Sequence, residues 1–249
     1  MSATRVAAAL ACALALAGCQ REAAAPAPKT PAPAPAPAPA PTPTPAATIA
    51  ADNTPKQPAL APVSDYVLPG ALAPDLGVEQ LRQLFGADNV LIDERLPGAE
   101  GEEFRGVRLF DGDPTRRARV YFQDSEKLRG LSIVVVDEPR SRWRLDNGLK
   151  MGQTLSELAR LNGKPLRFFG LDWDYGGVVS DWNGGALAPE DGDPVRRNAR
   201  LGLAEDAPTQ APVPAGDGEF SSDDKRYPEQ GRLLQVGELS VSFPGEDDL

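Results

Sequence analysis

The chain contains no histidine, and its two cysteines are Cys12 and Cys19. Without histidine there is no Ser-His-Asp or Cys-His catalytic arrangement and no His-ligated metal site. Beyond Cys19 there is no thiol, so residues 20–249 can form no disulfide and offer no thiolate to zinc or an iron–sulfur cluster. A domain there is held by its core alone. Positive charge is also scarce: 26 Lys+Arg stand against 36 Asp+Glu, a net of −10. This balance argues against nucleic acid and anionic membrane surfaces as partners. Acidic and basic residues are interspersed, which reads first as a solvated surface. A patch for a basic partner is the lesser reading. Aromatic residues make up only 6%, yet all three tryptophans fall within residues 143–187.

What is present begins with Arg5, followed over residues 6–17 by an uncharged run of almost all Ala and Leu. This is a signal-peptide core, too short to span a membrane as a mature helix. It ends in Leu16-Ala17-Gly18-Cys19. That ending resembles the bacterial lipobox, in which the signal is cut before the cysteine and the cysteine carries the lipid. The resemblance implies a signal peptide over 1–18, lipid attachment at Cys19, and membrane anchoring through that lipid. A plain secretory signal with an incidental cysteine is the alternative. Gln20 rather than Asp after the cysteine implies, by the sorting pattern of such lipoproteins, the outer membrane, with the domain in the periplasm. Residues 19–65 are rich in Pro and Ala, with Pro-Ala repeats over 25–45 and further prolines at Pro55, Pro58 and Pro62. Such a tract favours polyproline II and cannot bury a core. It is expected to be a disordered tether that holds the domain on the order of 100 Å from the membrane, at about 3.1 Å per residue. A proline-recognition role is the alternative, although the intervening alanines give a partner little to read.

The globular part is expected from residue 66. Thr154 and Glu157 form a capping box, Leu155, Leu158 and Leu161 share a face, and Asn162-Gly163 with Pro165 ends the helix. Upstream, Asp75 caps a second short helix in which Val78, Leu81 and Leu84 share a face and Gly86 is the stop. The two helices align, Leu81 with Leu158 and Gly86 with Gly163. The turn Asp111-Gly112-Asp113-Pro114 aligns with Asp191-Gly192-Asp193-Pro194, and Leu131-Ser132 aligns with Leu239-Ser240. Three anchors in one order predict a duplication. The fold class read from this is α+β, with two tandem repeats over 66–140 and 141–249. Each is a short helix followed by a roughly four-stranded antiparallel meander. Strands are expected over 89–96, 103–110, 117–122 and 128–136, then over 166–175, 178–182, 195–203 and 233–243. The second copy carries a long acidic loop over 204–231. This layout resembles the helix-plus-antiparallel-sheet repeat of β-lactamase-inhibitor-like proteins and the small lipoproteins of the outer-membrane barrel-assembly machinery. Those units commonly open with a pair of helices, whereas one helix is legible in each copy here.

Residues that could carry chemistry are few. Asp172-Trp173-Asp174-Tyr175-Gly176-Gly177 begins like a calcium loop, but glycine holds the fifth position and Asn183 the twelfth. Ser222 and Lys225 have the spacing of a Ser-x-x-Lys nucleophile without its partner motifs. Asp172, Asp174 or Asp181 could form a carboxylate pair for glycoside hydrolysis, with Trp173, Tyr175 and Trp182 as sugar-stacking surfaces. The plainer reading is strand alternation, with Phe169, Leu171, Trp173 and Tyr175 on a buried face and the aspartates in solvent. On that reading Trp173 and Tyr175 lie largely under the helix at 155–161, and Trp182 is the exposed contact. The candidate partner-binding residues are Asp172, Trp173, Asp174, Tyr175 and Trp182. No catalytic residue, metal ligand or cofactor is assigned. The expected role is binding or assembly toward an envelope protein or polymer. The alternatives are a carboxylate-dependent hydrolase of envelope glycan and a purely structural envelope lipoprotein. An exposed aromatic-rich sheet would favour the binder, and a deep cleft joining the carboxylates would favour the hydrolase.

Overall fold

The computed structural model describes residues 60–208 and 210–245. The expected signal peptide, Cys19 and most of the Pro/Ala tract lie outside the described residues. In chain order the elements are β1 (Val67–Leu68), α1 (Val78–Phe85), β2 (Val90–Pro97), β3 (Glu103–Leu109), β4 (Ala118–Asp124), β5 (Arg129–Val136), β6 (Arg144–Leu145), α2 (Leu155–Asn162), β7 (Arg167–Phe169), β8 (Val179–Asp181), β9 (Arg196–Leu203), β10 (Glu219–Ser221), α3 (Gln230–Leu233) and β11 (Leu234–Ser242). The packed chain begins before Tyr66: Leu60 and Val63 lie against the core, and Val63 N–H donates to Leu84 O at 2.9 Å.

Local chemistry sets the two longer helices. At α2, Thr154 Oγ1 accepts from Glu157 N–H at 3.2 Å and Glu157 Oε2 accepts from Thr154 N–H at 2.8 Å. Two otherwise free donors are thereby satisfied reciprocally. Gly163 ends the helix at φ +73°, a left-handed conformation that costs glycine little. At α1 the N-cap is Gly77 rather than the expected Asp75: Gly77 N–H donates to Gln80 Oε1 at 3.1 Å, and Gly86 ends the helix at φ +86°. The buried faces differ slightly from expectation. In α2 they are Leu155, Leu158 and Asn162, while Leu161 is 40% exposed. The i, i+3, i+7 series keeps one stripe on a 3.6-residue helix, and position i+6 drifts off it.

Strands β2, β3, β4 and β5 form the expected antiparallel meander. The sheet then continues with β11 and β9, giving the order β2-β3-β4-β5-β11-β9, antiparallel throughout. The fold is therefore α+β with a six-stranded antiparallel sheet. Strands β5 and β11 pair at its centre from Val136↔Leu239 to Ile133↔Ser242. Period-two alternation sends Val107, Val120, Val134, Val241 and Leu201 to the side where Leu81, Leu84, Leu155 and Leu158 pack. Both halves of the chain thus share one core.

The second half departs from the predicted meander. Strands β10, β7 and β8 make a separate three-stranded antiparallel sheet, joined to β9 by one bridge between Val178 and Arg200. The strand expected over 166–175 is three residues long. A Cβ at Gly170 would lie 2.6 Å from Gly216 O and 2.8 Å from Ala215 C. The segment 214–218 crowds the chain there, and residues 172–177 turn instead of extending. The expected loop 204–231 is partly regular, since it supplies β10 and the start of α3.

Candidate functional site

Paired residues across a sheet share a face, so register defines the surface opposite the helices. One row crosses all six strands: Leu91↔Arg108, Arg108↔Arg119, Arg119↔Val135, Val135↔Ser240 and Ser240↔Asn198. A second row holds Tyr121↔Ile133, Ile133↔Ser242 and Ser242↔Arg196. Glu238↔Arg200 lies beyond them on the same face. Leu91 is 51% exposed and Phe104 42%, while Arg108, Arg119, Tyr121, Ile133 and Asn198 are half-buried.

Charges on this face are arranged in pairs. Arg108 Nε meets Asp93 Oδ2 at 2.5 Å, and the Arg95 N–H together with Arg108 holds that carboxyl below its ordinary range. Arg119 Nη2 lies 2.9 Å from Asp137 Oδ2 and 3.9 Å from Glu238 Oε2, while its buried Nε has no partner. Burial pushes the Glu238 carboxyl up, opposed by Arg200 and Arg119. Burial likewise raises the Tyr121 phenol, whose hydroxyl donates to Pro97 O at 2.6 Å. The Tyr121 ring meets Phe104 edge-on at 6.4 Å.

At the β9 edge of this face sits the turn that holds four of the five candidate contact residues. Arg200 reaches from the sheet to the turn: its Nε donates to Gly176 O at 2.6 Å and its Nη2 to Asp174 O. Leu201 N–H donates to Gly177 O at 2.7 Å. Trp173 Nε1 donates to Gly170 O at 2.8 Å, which fixes the indole. Its ring lies edge-on to Phe169 at 5.5 Å and to Tyr175 at 5.3 Å. Asp172, Asp174 and Tyr175 are exposed, Tyr175 by 57%, and Trp173 is half-buried.

The expected exposures of Trp182 and Tyr175 are reversed, while Asp172 and Asp174 are exposed as expected and Trp173 is half-buried. Trp182 is only 7% exposed and belongs to the core, so it is no contact residue. Tyr175 does not pack under α2. Strand alternation cannot apply to it, because the chain has left the strand by Asp172, at φ +70°. The structure therefore brings together Asp172, Trp173, Asp174 and Tyr175 and leaves Trp182 out.

The carboxylates do not converge in a cleft. Asp172, Asp174 and Asp181 are all exposed, and Asp181 Oδ1 accepts from Asn183 N–H at 2.7 Å. Depressions of 380 Å³ beside Phe110 and Arg116 and of 290 Å³ beside Leu187 and Arg197 are lined by other residues. Among the described residues no three Asp, Glu, Cys or His groups come together as for a metal ion. Ser222 is structural, its Oγ accepting from Leu166 N–H at 3.1 Å. Among the described residues no helix is long and apolar enough to cross a membrane.

Sequence reasoning missed Arg119, Glu238, Arg200 and Tyr121. Their signal was charge alternating with apolar residues, as in Arg119-Val120-Tyr121 and Asn198-Ala199-Arg200-Leu201. No known protein family, curated protein or solved structure matches the chain.

Proposed function

We propose that the protein is a lipid-anchored lipoprotein of the bacterial outer membrane. It binds an envelope protein or polymer through the face of its sheet opposite the helices, together with the turn at 172–175. The observation that carries this is the row from Leu91 to Asn198. It spans six strands on the side opposite the helices and combines exposed Leu91 with half-buried Arg108 and Arg119, while Val135 and Ser240 at its middle are buried; exposed Phe104 and half-buried Tyr121 lie on the same face. Mixed apolar, aromatic and arginine surfaces are what protein contacts use. The Leu-Ala-Gly-Cys19 sequence supports the anchor, and the Pro/Ala tract supports reach from the membrane.

The test uses the full lipoprotein in its native envelope, with a photo-crosslinking residue placed at Tyr121 or Leu91. Crosslinks to one envelope component, lost on Arg119→Glu, are expected. Crosslinking no stronger than at a position on α1 would overturn the reading. Replacing Cys19 with Ala is expected to leave a soluble or uncleaved form.

We also propose that the two halves derive from one duplicated unit, the footing on which the likeness to β-lactamase-inhibitor-like and barrel-assembly lipoproteins rests. Each helix cap bridges the start of its own half's last long strand, Gly77↔Arg129 and Thr154↔Gln235. Asp113 Oδ1 accepts from Thr115 N–H at 2.9 Å, and Asp193 Oδ1 accepts from Val195 N–H at 2.8 Å. The aligned stops Gly86 and Gly163 both take positive φ. Superposing 77–136 on 154–242 should place Asp113 over Asp193. If those turns fall in unrelated places, the duplication fails.

A further inference from the structure

We infer that the turn at 172–175 receives a basic side chain, lysine or arginine, presented by a protein partner. This rests on the binding reading above and names the chemistry of that partner.

Apart from the Tyr175 hydroxyl, the turn's side-chain donor is taken up within the fold, as is the cation beside it. The Trp173 indole N–H is held by Gly170 O, and the Arg200 guanidinium by the carbonyls of Gly176 and Asp174. The N–H groups of Gly176, Gly177 and Val178 donate to Trp173 O, Phe169 O and Tyr175 O. What faces outward is of the opposite kind. The Tyr175 ring is 57% exposed beside a half-buried Trp173, and the exposed carboxylates of Asp172 and Asp174 make no hydrogen bond or ion pair among the described residues. Apart from the Tyr175 hydroxyl, the exposed side chains of the turn offer aromatic faces and carboxylate acceptors, and Arg200 beside them is bonded to backbone carbonyls rather than to either carboxylate. An anion is repelled. A neutral sugar has hydroxyls that need donors as well as acceptors, and among these side chains finds almost only acceptors. A cation with several N–H donors matches both the carboxylates and the rings.

The same fold shows the completed arrangement elsewhere. The Phe220–Tyr227 pair, with ring centroids 5.8 Å apart, is covered by Arg226 at 5.6 and 5.7 Å, and Arg226 is itself paired with Asp224 at 2.6 Å. At the turn the aromatic pair and the carboxylates recur. Among the described residues no lysine or arginine lies over Trp173 or Tyr175. The turn is also held in place. A Cβ at Gly177, where φ is +80°, would lie 2.0 Å from Leu201 O, so this backbone is pressed against β9. A surface fixed before binding loses little freedom on binding. The net charge of −10 draws a basic partner toward it at long range.

The test titrates the full lipoprotein in detergent with tetralysine while intrinsic fluorescence is recorded. Trp143 and Trp182 are 1% and 7% exposed, so a change reports on Trp173. Saturable binding of tetralysine is expected, weakened by salt and absent for fully acetylated tetralysine, which keeps the shape and loses the charge. Tyr175→Ala and the double change Asp172→Asn with Asp174→Asn should each weaken it roughly threefold or more. Both alter exposed side chains, and an unchanged melting temperature confirms the fold in each. Equal response to the acetylated peptide, or no effect of either variant, overturns the inference. Binding of an N-acetylglucosamine tetrasaccharide in place of tetralysine also overturns it and leaves the envelope-binding reading standing. Failure of crosslinking from Tyr121 or Leu91 would remove that reading separately.

Discussion

The buried side chain of Asn162 donates from Nδ2 to the carbonyl oxygen of Trp182 at 2.8 Å. The same Nδ2 donates to Lys164 O at 3.0 Å, and Oδ1 accepts from Leu187 N–H at 3.1 Å. One amide, 1% exposed, thus satisfies three backbone groups where the end of α2 meets the turn at 182–187. Gly185 makes room for it, since a Cβ there would lie 2.3 Å from Asn162 Oδ1. This docking draws Trp182 into the core.

Asn162→Ala should therefore destabilise the domain by about 2–3 kcal/mol, because it leaves buried polar groups without partners. Asn162→Asp should do no better, since a carboxylate has no donor for Trp182 O. Denaturant midpoints measure both. A midpoint within error of wild type would show that the turn is held by something else.

Trp182 and Tyr175 should respond oppositely to truncation. Trp182→Ala removes a buried ring and is expected to cost about 3–5 kcal/mol. Tyr175→Ala removes an exposed one and should stay within about 0.5 kcal/mol of wild type. Comparable losses in the two variants would contradict the exposures described above.

Glu238 makes stability depend on pH. Burial holds its carboxyl above the ordinary value, so the folded state binds the proton more tightly than the unfolded state. Its favourable contribution is present at low pH and fades as pH rises through the folded value. The side chain is 28% exposed, which tempers the effect. Glu238→Gln should raise stability at pH 7 by about 1 kcal/mol or less, and the gain should shrink toward pH 4, near the unfolded pKa of about 4.3. Melting temperatures across that range decide it, and a gain that grows on acidification would have the wrong sign.

Asp146 carries the opposite dependence. The Arg197 guanidinium, at 2.6 and 2.8 Å from its two oxygens, holds this carboxyl below the ordinary range. A lowered folded value contributes stability above the unfolded pKa of about 3.9, lost as pH falls through the folded value. The side chain is 41% exposed, so solvent screening reduces the effect. Asp146→Asn should cost about 0.5–1 kcal/mol at pH 7 and less as the pH drops below 4. An undiminished loss in acid would assign the effect to packing.

Much of the fold was legible because it is local. The Thr154–Glu157 box and the glycines at 86 and 163 act within one helix turn, and they set α2 and the end of α1 where the residues predict, while α1 starts from Gly77 rather than Asp75. The strands from Val90 to Val136 place Val107, Val120 and Val134 toward the helices and are joined by short links, so sequence neighbours became sheet neighbours. The candidate site was only half legible. The stretch from Asp172 to Tyr175 stands out by composition, and its residues do stay together. Asp172 and Asp174 are exposed as read, but Tyr175 was read as buried, because alternation assumes a strand and Gly170 meets residues 215 and 216 from far along the chain.

The amino-acid sequence by itself determined both ends of α2, the stop of α1, the two Asp-Gly-Asp-Pro turns and which residues of each long strand are apolar, because adjacent backbone groups and side-chain periodicity suffice for these. Only the tertiary structure decided that β11 pairs with β5, and so that Arg119 and Glu238 meet on one face with Arg200 beside them. It alone decided that Trp182 is buried while Tyr175 faces solvent. Both outcomes depend on register and on backbone contacts between segments distant in the chain, and a residue's own neighbours carry no record of either.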